Sequence, residues 1–231
     1  MGDRAATFVL VHGAWWAGDW LWGGVTDRLR AAGHRVYAPA LTGLGPREHL
    51  APYGVNLSTH ILDVINLIKW EGLTDIVLVG HSYGGMVISG VAEKVPEGTI
   101  RSIVYLDAFL PENGESLASI ADNFKDLAGD LDPVPPPLFF AGENKALRAI
   151  LEKGGTPHPR ACFEEAASIN GARDRVPVKT YVLAEIGEVF KPFYAKVKDD
   201  PSWRKEVIGC AHMTMLEAPE ETAEIIMRAA M

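Results

Sequence analysis

The chain has 231 residues, 48% of them hydrophobic, which is enough for one large domain with a sizeable core. Its 22 Lys and Arg residues against 30 Asp and Glu residues give a formal net charge of −8, the wrong sign for holding phosphate backbones, so we expect no nucleic-acid partner. No apolar run reaches the ~20 residues of a membrane span and the first residues lack the regions of a signal peptide, so we expect neither membrane insertion nor secretion.

The first half of the chain alternates strands with helices. Residues 7–12 form a short apolar, β-branched run that ends at a glycine, the pattern of a strand buried on both faces. We predict strands at 7–12, 34–38, 75–80 and 100–107, and helices between them at 21–32, 58–70 and 83–93. Parallel neighbours need long crossovers, which are usually helical, so this alternation predicts an α/β fold with a doubly wound, mostly parallel sheet.

Prolines interrupt this alternation between residues 111 and 177, where only short helical pieces such as 145–151 remain. An irregular stretch of this length inside a compact domain is typical of a functional lid, with disorder as the alternative. Strands at 178–185 and 203–209, and helices at 191–198 and from about residue 219, then resume the pattern. We therefore expect a single domain with a helical cap inserted at about 111–177.

Residues 80–84 read Gly-His-Ser-Tyr-Gly, a G-x-S-x-G sequence whose serine is Ser82. A predicted strand precedes it and a predicted helix follows it, which is the setting of a nucleophile elbow. The flanking glycines allow backbone segments to pass closely while the serine occupies a strained turn. The alternative is a glycine-rich turn whose serine caps the helix.

A serine hydroxyl becomes a useful nucleophile only when a base takes its proton, so a histidine must lie near it in space. Among seven histidines, His212 follows the last predicted strand, which matches the order serine, acid, histidine of α/β-hydrolases. We expect His12 and His81 to be structural or to line the pocket. The remaining histidines are expected at the surface or in loops: His34, His49, His60 and His158.

An oxyanion formed on attack by the serine needs hydrogen-bond donors, usually backbone N–H groups. Residues 12–15 read His-Gly-Ala-Trp and follow the first strand, so the N–H of Ala14 is one candidate donor. The N–H of Tyr83, directly after the serine, is the other. An ordinary tight turn remains the alternative for the His-Gly pair.

Four segments together resemble the branch of the α/β-hydrolase family that includes plant methylesterases, salicylate-binding esterases, hydroxynitrile lyases and bacterial esterase relatives. They are residues 12–22, 80–85, 105–111 and 209–213, and the resemblance extends over nearly the whole chain. It implies the α/β-hydrolase fold, a helical cap over the site, and hydrolysis of small-molecule carboxylic esters.

The triad acid departs from this resemblance. In the plant enzymes it follows the strand that matches 178–185, but the aligned residue here is Gly187, flanked by Glu185 and Glu188. Asp107, at the end of the preceding strand, occupies the other position from which a carboxylate reaches the histidine. We expect Asp107 to be the acid, with Glu185 or Glu188 as alternatives and a turn-capping role for Asp107 as a third.

Four tryptophans, Trp15, Trp16, Trp20 and Trp22, follow the first strand closely. An aromatic surface there suits a flat or aromatic acyl group, although core packing is the alternative, and we expect it for Trp20 and Trp22. The predicted substrate pocket comprises Gly13, Trp15, Trp16, His81 and Met213.

We therefore predict a serine esterase that forms an acyl-enzyme on Ser82, with His212 as base and no metal or organic cofactor. A hydroxynitrile lyase is one rival, but lyases of the plant type carry a threonine at Gly13 and a lysine at Met213. The second rival function is a low-turnover small-molecule receptor.

Cys162 and Cys210 form no CxxC pair or disulfide framework, which fits the cytoplasm. The sequence leaves the substrate and a homo-oligomeric state open.

Overall fold

A computed structural model describes residues 5–122 and 124–231. The expectation that no signal peptide is present concerns residues 1–4 in part, and these lie outside the described residues. Within the described ranges the strands are β1 (Thr7–Val11), β2 (Arg35–Tyr37), β3 (Ile76–Ser82), β4 (Ile100–Ala108), β5 (Val178–Ala184) and β6 (Trp203–Ile208).

All neighbouring strands pair in parallel, in the order β2-β1-β3-β4-β5-β6. The predicted doubly wound parallel sheet is confirmed. The chain leaves β1 toward one edge and returns on its other side with β3, so the strand order reverses between these two strands. Ligands of open α/β sheets bind beyond the carboxyl ends of the strands at such a reversal. Here those ends are Val11 and Ser82.

The helices are α1 (Asp19–Ala31), α2 (Leu57–Trp70), α3 (Gly84–Lys94), α4 (Leu117–Ile120), α5 (Phe124–Ala128), α6 (Lys145–Gly154), α7 (Ala161–Glu164), α8 (Lys191–Val197), α9 (Thr214–Glu217) and α10 (Pro219–Ala229). Helix α1 packs on α10, and α2 packs on α3. Asn56 caps α2, because its side chain accepts from the N–H of Thr59. A 3₁₀ turn over Gly45–Tyr53 occupies what the sequence predicts as a loop.

The sheet is covered on both faces. Every residue of β3 is buried, and successive side chains of a strand point to opposite faces, so helices must lie above and below it. This explains the continuous apolar run of the sequence. No helix in the described part of the chain is both long enough and apolar enough to cross a membrane.

The 111–177 segment lies between β4 and β5 and contains α4, α5, α6 and α7 with two 3₁₀ turns, Leu138–Ala141 and Arg173–Arg175. The segment packs against the rest of the domain. Trp16 forms an antiparallel bridge with Gly155, and the Trp16 indole N–H donates to Leu151 O at 2.9 Å. The segment is therefore attached directly to the loop that follows β1.

Candidate active site

Ser82 ends β3 in a left-handed backbone conformation, with φ of 54°. The turn brings the backbone of Gly80 close to that of Gly84. A Cβ atom at Gly80 would lie only 2.6 Å from the carbonyl oxygen of Gly84, so a residue other than glycine would clash there. Helix α3 begins at Gly84, two residues beyond the serine. The strand, strained turn and helix predicted around residues 80–84 are all present.

A buried hydrogen bond joins His212 to Asp107, with 2.7 Å between Nδ1 and Oδ2. Both side chains are buried. A carboxylate only accepts hydrogen bonds, so Nδ1 of His212 carries the proton and Nε2 keeps a free lone pair. His212 and Ser82 line the same small cavity.

Asp107 resembles Ser82 in its backbone, with φ of 42° at the end of β4. Its second carboxylate oxygen, Oδ1, accepts from the N–H of Ala184 at 3.0 Å. Each oxygen of this buried carboxylate therefore has a donor, which fixes its direction toward His212.

The two alternative acids lie elsewhere. Glu185 and Glu188 are exposed, and the carboxylate of Glu188 bonds to Lys191 at 2.6 Å. Gly187, the position of the acid in the plant enzymes, is exposed as well. Of the three candidate carboxylates, Asp107 alone is hydrogen-bonded to His212 in the described residues.

The oxyanion candidates Ala14 and Tyr83 both border the cavity that contains Ser82. The next residue, Trp15, has a φ of 66°, and its backbone N–H donates to Nδ1 of His158 at 3.2 Å. That contact engages the amide of Trp15, so this amide is not free to bind an oxyanion. The hydroxyl of Tyr83 bonds to His60, away from the site.

His81 lies behind the site and is not its base. Its Nε2 donates to the backbone oxygen of His212 at 3.0 Å, and the centroids of the two rings lie 4.5 Å apart with an interplanar angle of 33°. Burial lowers the pKa of His81 well below its ordinary value, and the neighbouring His212 lowers it further. His81 therefore stays neutral beside His212. His12 is also structural, with hydrogen bonds to Gly13 O and Leu41 N.

Three cavities meet at the site. Their sizes are given as the volume accessible to the centre of a water molecule. The Ser82 cavity, about 40 Å³, is lined by Ala14, Trp15, Ser82, Tyr83, Phe109, Leu117, Ala121, Phe124, Leu127, Phe139, Phe140, Val189 and Phe190. The Met213 cavity, about 10 Å³, is lined by Gly13, Ala14, Trp15, Trp16, Leu21, His81, Ser82, Phe140, His212 and Met213. The Ile186 cavity, about 240 Å³, is lined by Asp107, Phe139, Phe140, Gly142, Ala184, Ile186, Gly187, Val189, Phe190, Ala211 and His212.

All five residues predicted to form the pocket line one of these cavities: Gly13, Trp15, Trp16, His81 and Met213. Trp22 is buried in the core as expected, whereas Trp20 is partly exposed and covers Gly154 of α6.

Two aromatic residues beside His212 have no signal in the sequence pattern. Phe190 stacks on the imidazole at 4.7 Å with an interplanar angle of 9°, and Phe140 lies at 4.6 Å. Both lie in irregular stretches, where periodicity gives no indication of which side chains face inward.

The expectation that His60 lies at the surface or in a loop is wrong, because His60 is part of α2, whereas His158 lies in a loop as expected but inside the protein. Both are fully buried, and their ligand atoms lie within 4.8 Å of one another and of Cys162 Sγ. Burial lowers the pKa of His60 to about 4 and raises that of the Cys162 thiol. The two ring nitrogens of His60 form hydrogen bonds with Tyr83 and Thr42, and Nδ1 of His158 accepts from Trp15. These nitrogens therefore join neighbouring segments by hydrogen bonds and do not form a preformed metal site.

Comparisons with known proteins show the family of the chain. A family model described as the alpha/beta hydrolase family matches residues 8–225. The chain is 40% identical over 240 residues to a carbendazim hydrolyzing esterase from Nocardioides sp. (strain SG-4G), covering 95% of this chain and 97% of the relative. It is 33% identical over 132 residues to an alpha-hydroxynitrile lyase from Arabidopsis thaliana, covering 56% of this chain and 50% of the relative.

A solved structure is similar over nearly the full length. It is an extracellular alpha/beta-hydrolase from a Paenibacillus species, reported to share structural and functional homology with tobacco salicylic acid binding protein 2. The TM-score is 0.80 and the sequence identity 28%, with 97% of this chain and 98% of that chain covered.

Proposed function

The chain belongs to the alpha/beta hydrolase family and is a carboxylic ester hydrolase, and on this premise we propose that Ser82, His212 and Asp107 are its nucleophile, base and acid. The observation that carries the assignment is the buried 2.7 Å hydrogen bond from His212 to Asp107, beside a serine held in a left-handed turn. Among the described residues, no other histidine is hydrogen-bonded to a carboxylate.

The acylation half-reaction follows from the tautomer of His212. Nε2 takes the proton of Ser82 as Oγ attacks the ester carbonyl, and the new oxyanion accepts from the N–H groups of Ala14 and Tyr83. Asp107 remains ionised and stabilises the imidazolium. When the C–O bond to the alcohol breaks, His212 gives its Nε2 proton to the departing oxygen.

The second half-reaction uses the same groups with water as nucleophile. His212 takes a proton from water, the resulting oxygen attacks the acyl carbon, and the acid is released as Ser82 recovers its proton. His81 takes no part, since its lowered pKa and its bond to the His212 backbone keep it neutral and fixed.

The lyase rival is disfavoured by the space at Gly13. A Cβ there would lie 2.9 Å from Cβ of Ser82 and 3.1 Å from Nδ1 of His81, so a threonine at this position does not fit without moving the nucleophile. Met213, in place of the lyase's lysine, is buried and offers no cation. Both residues favour hydrolysis of an ester over release of cyanide.

The 111–177 segment supplies the cap in this proposal. Its residues Leu117, Phe124 and Phe140 form part of the wall of the Ser82 cavity, so the segment covers the acyl group. A cytoplasmic location is supported by the two cysteines, Cys162 and Cys210, which are both free thiols.

A serine-directed phosphonate tests the assignment. The probe should add its mass to the wild-type protein and not to Ser82→Ala, as measured by intact-protein mass spectrometry, and the variant should lose turnover of phenyl acetate. The control is Ser119→Ala, which alters a serine of α4 outside the three cavities and should keep normal labelling. Equal labelling of Ser82→Ala would show that another residue is the nucleophile.

A further inference from the structure

The three cavities divide the site according to which catalytic group each one touches. The Ser82 cavity is bordered by the nucleophile and both oxyanion donors but not by His212. The Ile186 cavity is bordered by His212 and Asp107 but not by Ser82, Ala14 or Tyr83. Phe140 lines all three cavities and stands between them.

This division indicates which cavity takes the acyl part of an ester and which takes the alcohol part. Once the oxyanion rests on Ala14 and Tyr83, two substituents of the tetrahedral carbon remain, the acyl group and the alkoxy oxygen. The alkoxy oxygen must lie within hydrogen-bond reach of His212, because that residue protonates it as it leaves. The alcohol part therefore extends into a cavity that His212 borders, and the acyl part extends into the Ser82 cavity.

Two cavities border His212, and they differ in size and in exposure. The Met213 cavity, with about 10 Å³ accessible to the centre of a water molecule, is enclosed by buried side chains such as Trp16 and Leu21 and has room for about one water. The Ile186 cavity, with about 240 Å³ accessible to the centre of a water molecule, opens to solvent between Ile186, which is 63% exposed, and Phe139, which is 52% exposed. Large apolar side chains clustered at an opening are typical of a ligand-binding surface.

The position of the acid is consistent with this opening. Because Asp107 on β4 bonds to His212, the loop 185–189 after β5 sends no carboxylate toward it, and Glu185 and Glu188 are exposed. A Cβ atom at Gly187 would meet no atom within 4 Å, so open space remains beside this loop.

We propose that the Ile186 cavity is the leaving-group site and that the preferred substrates are neutral esters joining an apolar acid to a bulky apolar alcohol, such as a benzyl alcohol, rather than methyl esters. The inference rests on the function proposed above. The lining supports the proposal. Among the described residues, no Lys, Arg, Glu or Asp borders the Ser82 cavity. The one acid that borders the Ile186 cavity there, Asp107, is hydrogen-bonded to His212 and Ala184.

Benzyl and methyl phenylacetate test the proposal, because they share one acyl group and their alcohols have similar basicity. Their acyl-enzymes are identical, so a difference in kcat/KM reports the acylation step, where the alcohol is still bound. We expect kcat/KM to be at least about tenfold higher for the benzyl ester, the scale of discrimination that an apolar pocket provides.

Ile186→Asp supplies the matched variant, since Ile186 lines the Ile186 cavity alone and lies outside the catalytic groups. We expect about a tenfold loss of kcat/KM for the benzyl ester with the methyl ester unchanged. Ile150→Asp, at a residue 46% exposed on α6 and outside the three cavities, should change neither.

The outcomes separate this proposal from the assignment of the triad. Methyl turnover equal to or faster than benzyl turnover, or an equal loss for both esters in Ile186→Asp, overturns the leaving-group site while Ser82 remains the nucleophile. Absence of hydrolysis together with absence of phosphonate labelling at Ser82 overturns the proposed function itself.

Discussion

Ser82 and Asp107 lie at the carboxyl ends of neighbouring parallel strands and share the same uncommon backbone conformation. Positive φ values of 54° and 42° at residues other than glycine cost on the order of 1–3 kcal/mol each. The pairing of β3 with β4 shifts register between His81 and Ser82, so that Ser82 pairs with Ala108. Both side chains consequently stand at the carboxyl edge of the sheet, and the hydrogen bonds of Asp107 offset part of the strain.

Asp107→Asn should lower kcat by about 10⁴ while the protein stays folded. The amide keeps the shape of the carboxylate, but it lacks the charge that stabilises the imidazolium and can favour the tautomer with the proton on Nε2. Steady-state kinetics on phenyl acetate give kcat, and a thermal midpoint within a few degrees of wild type shows that the fold is retained.

The glutamates after β5 are the matched controls for that variant. Glu185→Gln and Glu188→Gln each remove one exposed carboxylate near the site and should keep kcat within about threefold of wild type, since surface changes have small effects. A folded but inactive glutamate variant alongside an active Asp107→Asn would move the acid to the loop after β5.

The residues of the proposed triad could be predicted from the sequence because motif and chain order constrain them. The G-x-S-x-G turn indicates Ser82, and the last strand indicates His212. The choice among Asp107, Glu185 and Glu188 depends on which loop turns inward, which a single sequence does not determine. Phe140 and Phe190 could not be predicted at all, because their contacts with His212 come from tertiary packing of irregular segments.

At the scale of elements, the loop after β1 and the 111–177 segment form one hydrogen-bonded unit. The Trp15 backbone N–H donates to His158, and its indole N–H donates to Val134 O at 3.0 Å. The backbone oxygen of Trp15 accepts from the N–H and the hydroxyl of Thr156. Since Ala14 directly precedes Trp15, these bonds also hold the proposed oxyanion donor.

His158→Leu should therefore lower kcat about tenfold or more with little change in KM. The variant leaves the Trp15 N–H without an acceptor, which costs about 1–3 kcal/mol of stability and loosens the oxyanion loop. Kinetics on phenyl acetate and urea unfolding measure the two effects.

His158→Asn is the matched variant, because its side-chain oxygen can accept at the position of Nδ1. It should recover much of the kcat that the leucine variant loses. Equal kcat values for the leucine and asparagine variants would show that the hydrogen bond does not position the loop.

The sequence predicted these elements unevenly for a physical reason. Helices and strands of the sheet carry a periodic apolar pattern, and their observed bounds lie within two residues of the predicted ones for β1, β3 and α2. The 111–177 segment has no such period, so its prolines predicted an irregular insertion but not the burial of His158. A buried loop residue is determined by the partner that covers it rather than by its own neighbours.

On the scale of the whole molecule, the fold was the most predictable feature. Continuous apolar strands separated by helices leave few topologies for 231 residues, and the parallel sheet with a reversal beside β1 is one of them. The net charge and the apolar fraction carried no information about the buried polar groups. His12, His60, His81 and His158 are all inside the protein.

These buried histidines make stability depend on pH in a defined direction. Burial lowers the pKa of His12 and of His60 from 6.5 to about 4 in the folded state, whereas both titrate near 6.5 when the chain unfolds. Between these values the unfolded chain binds more protons than the folded protein. The stabilisation is complete above pH 6.5 and is lost as the pH falls toward 4.

We expect the free energy of unfolding, measured with urea, to fall from pH 7 to pH 4.5 by up to about 1.4 kcal/mol per pH unit for each of these two histidines. His60→Gln removes one of them, so its stability, although lower at pH 7, should decline less steeply by about that slope. His49→Gln alters an exposed histidine and should leave the pH dependence of wild type unchanged.

An unfolding free energy that is flat between pH 7 and 4.5, or a slope unaltered in His60→Gln, would mean that His60 is protonated inside the fold. Its Nδ1 would then donate to the Tyr83 hydroxyl instead of accepting from it, so protonation would alter a contact of the residue whose backbone N–H is a proposed oxyanion donor.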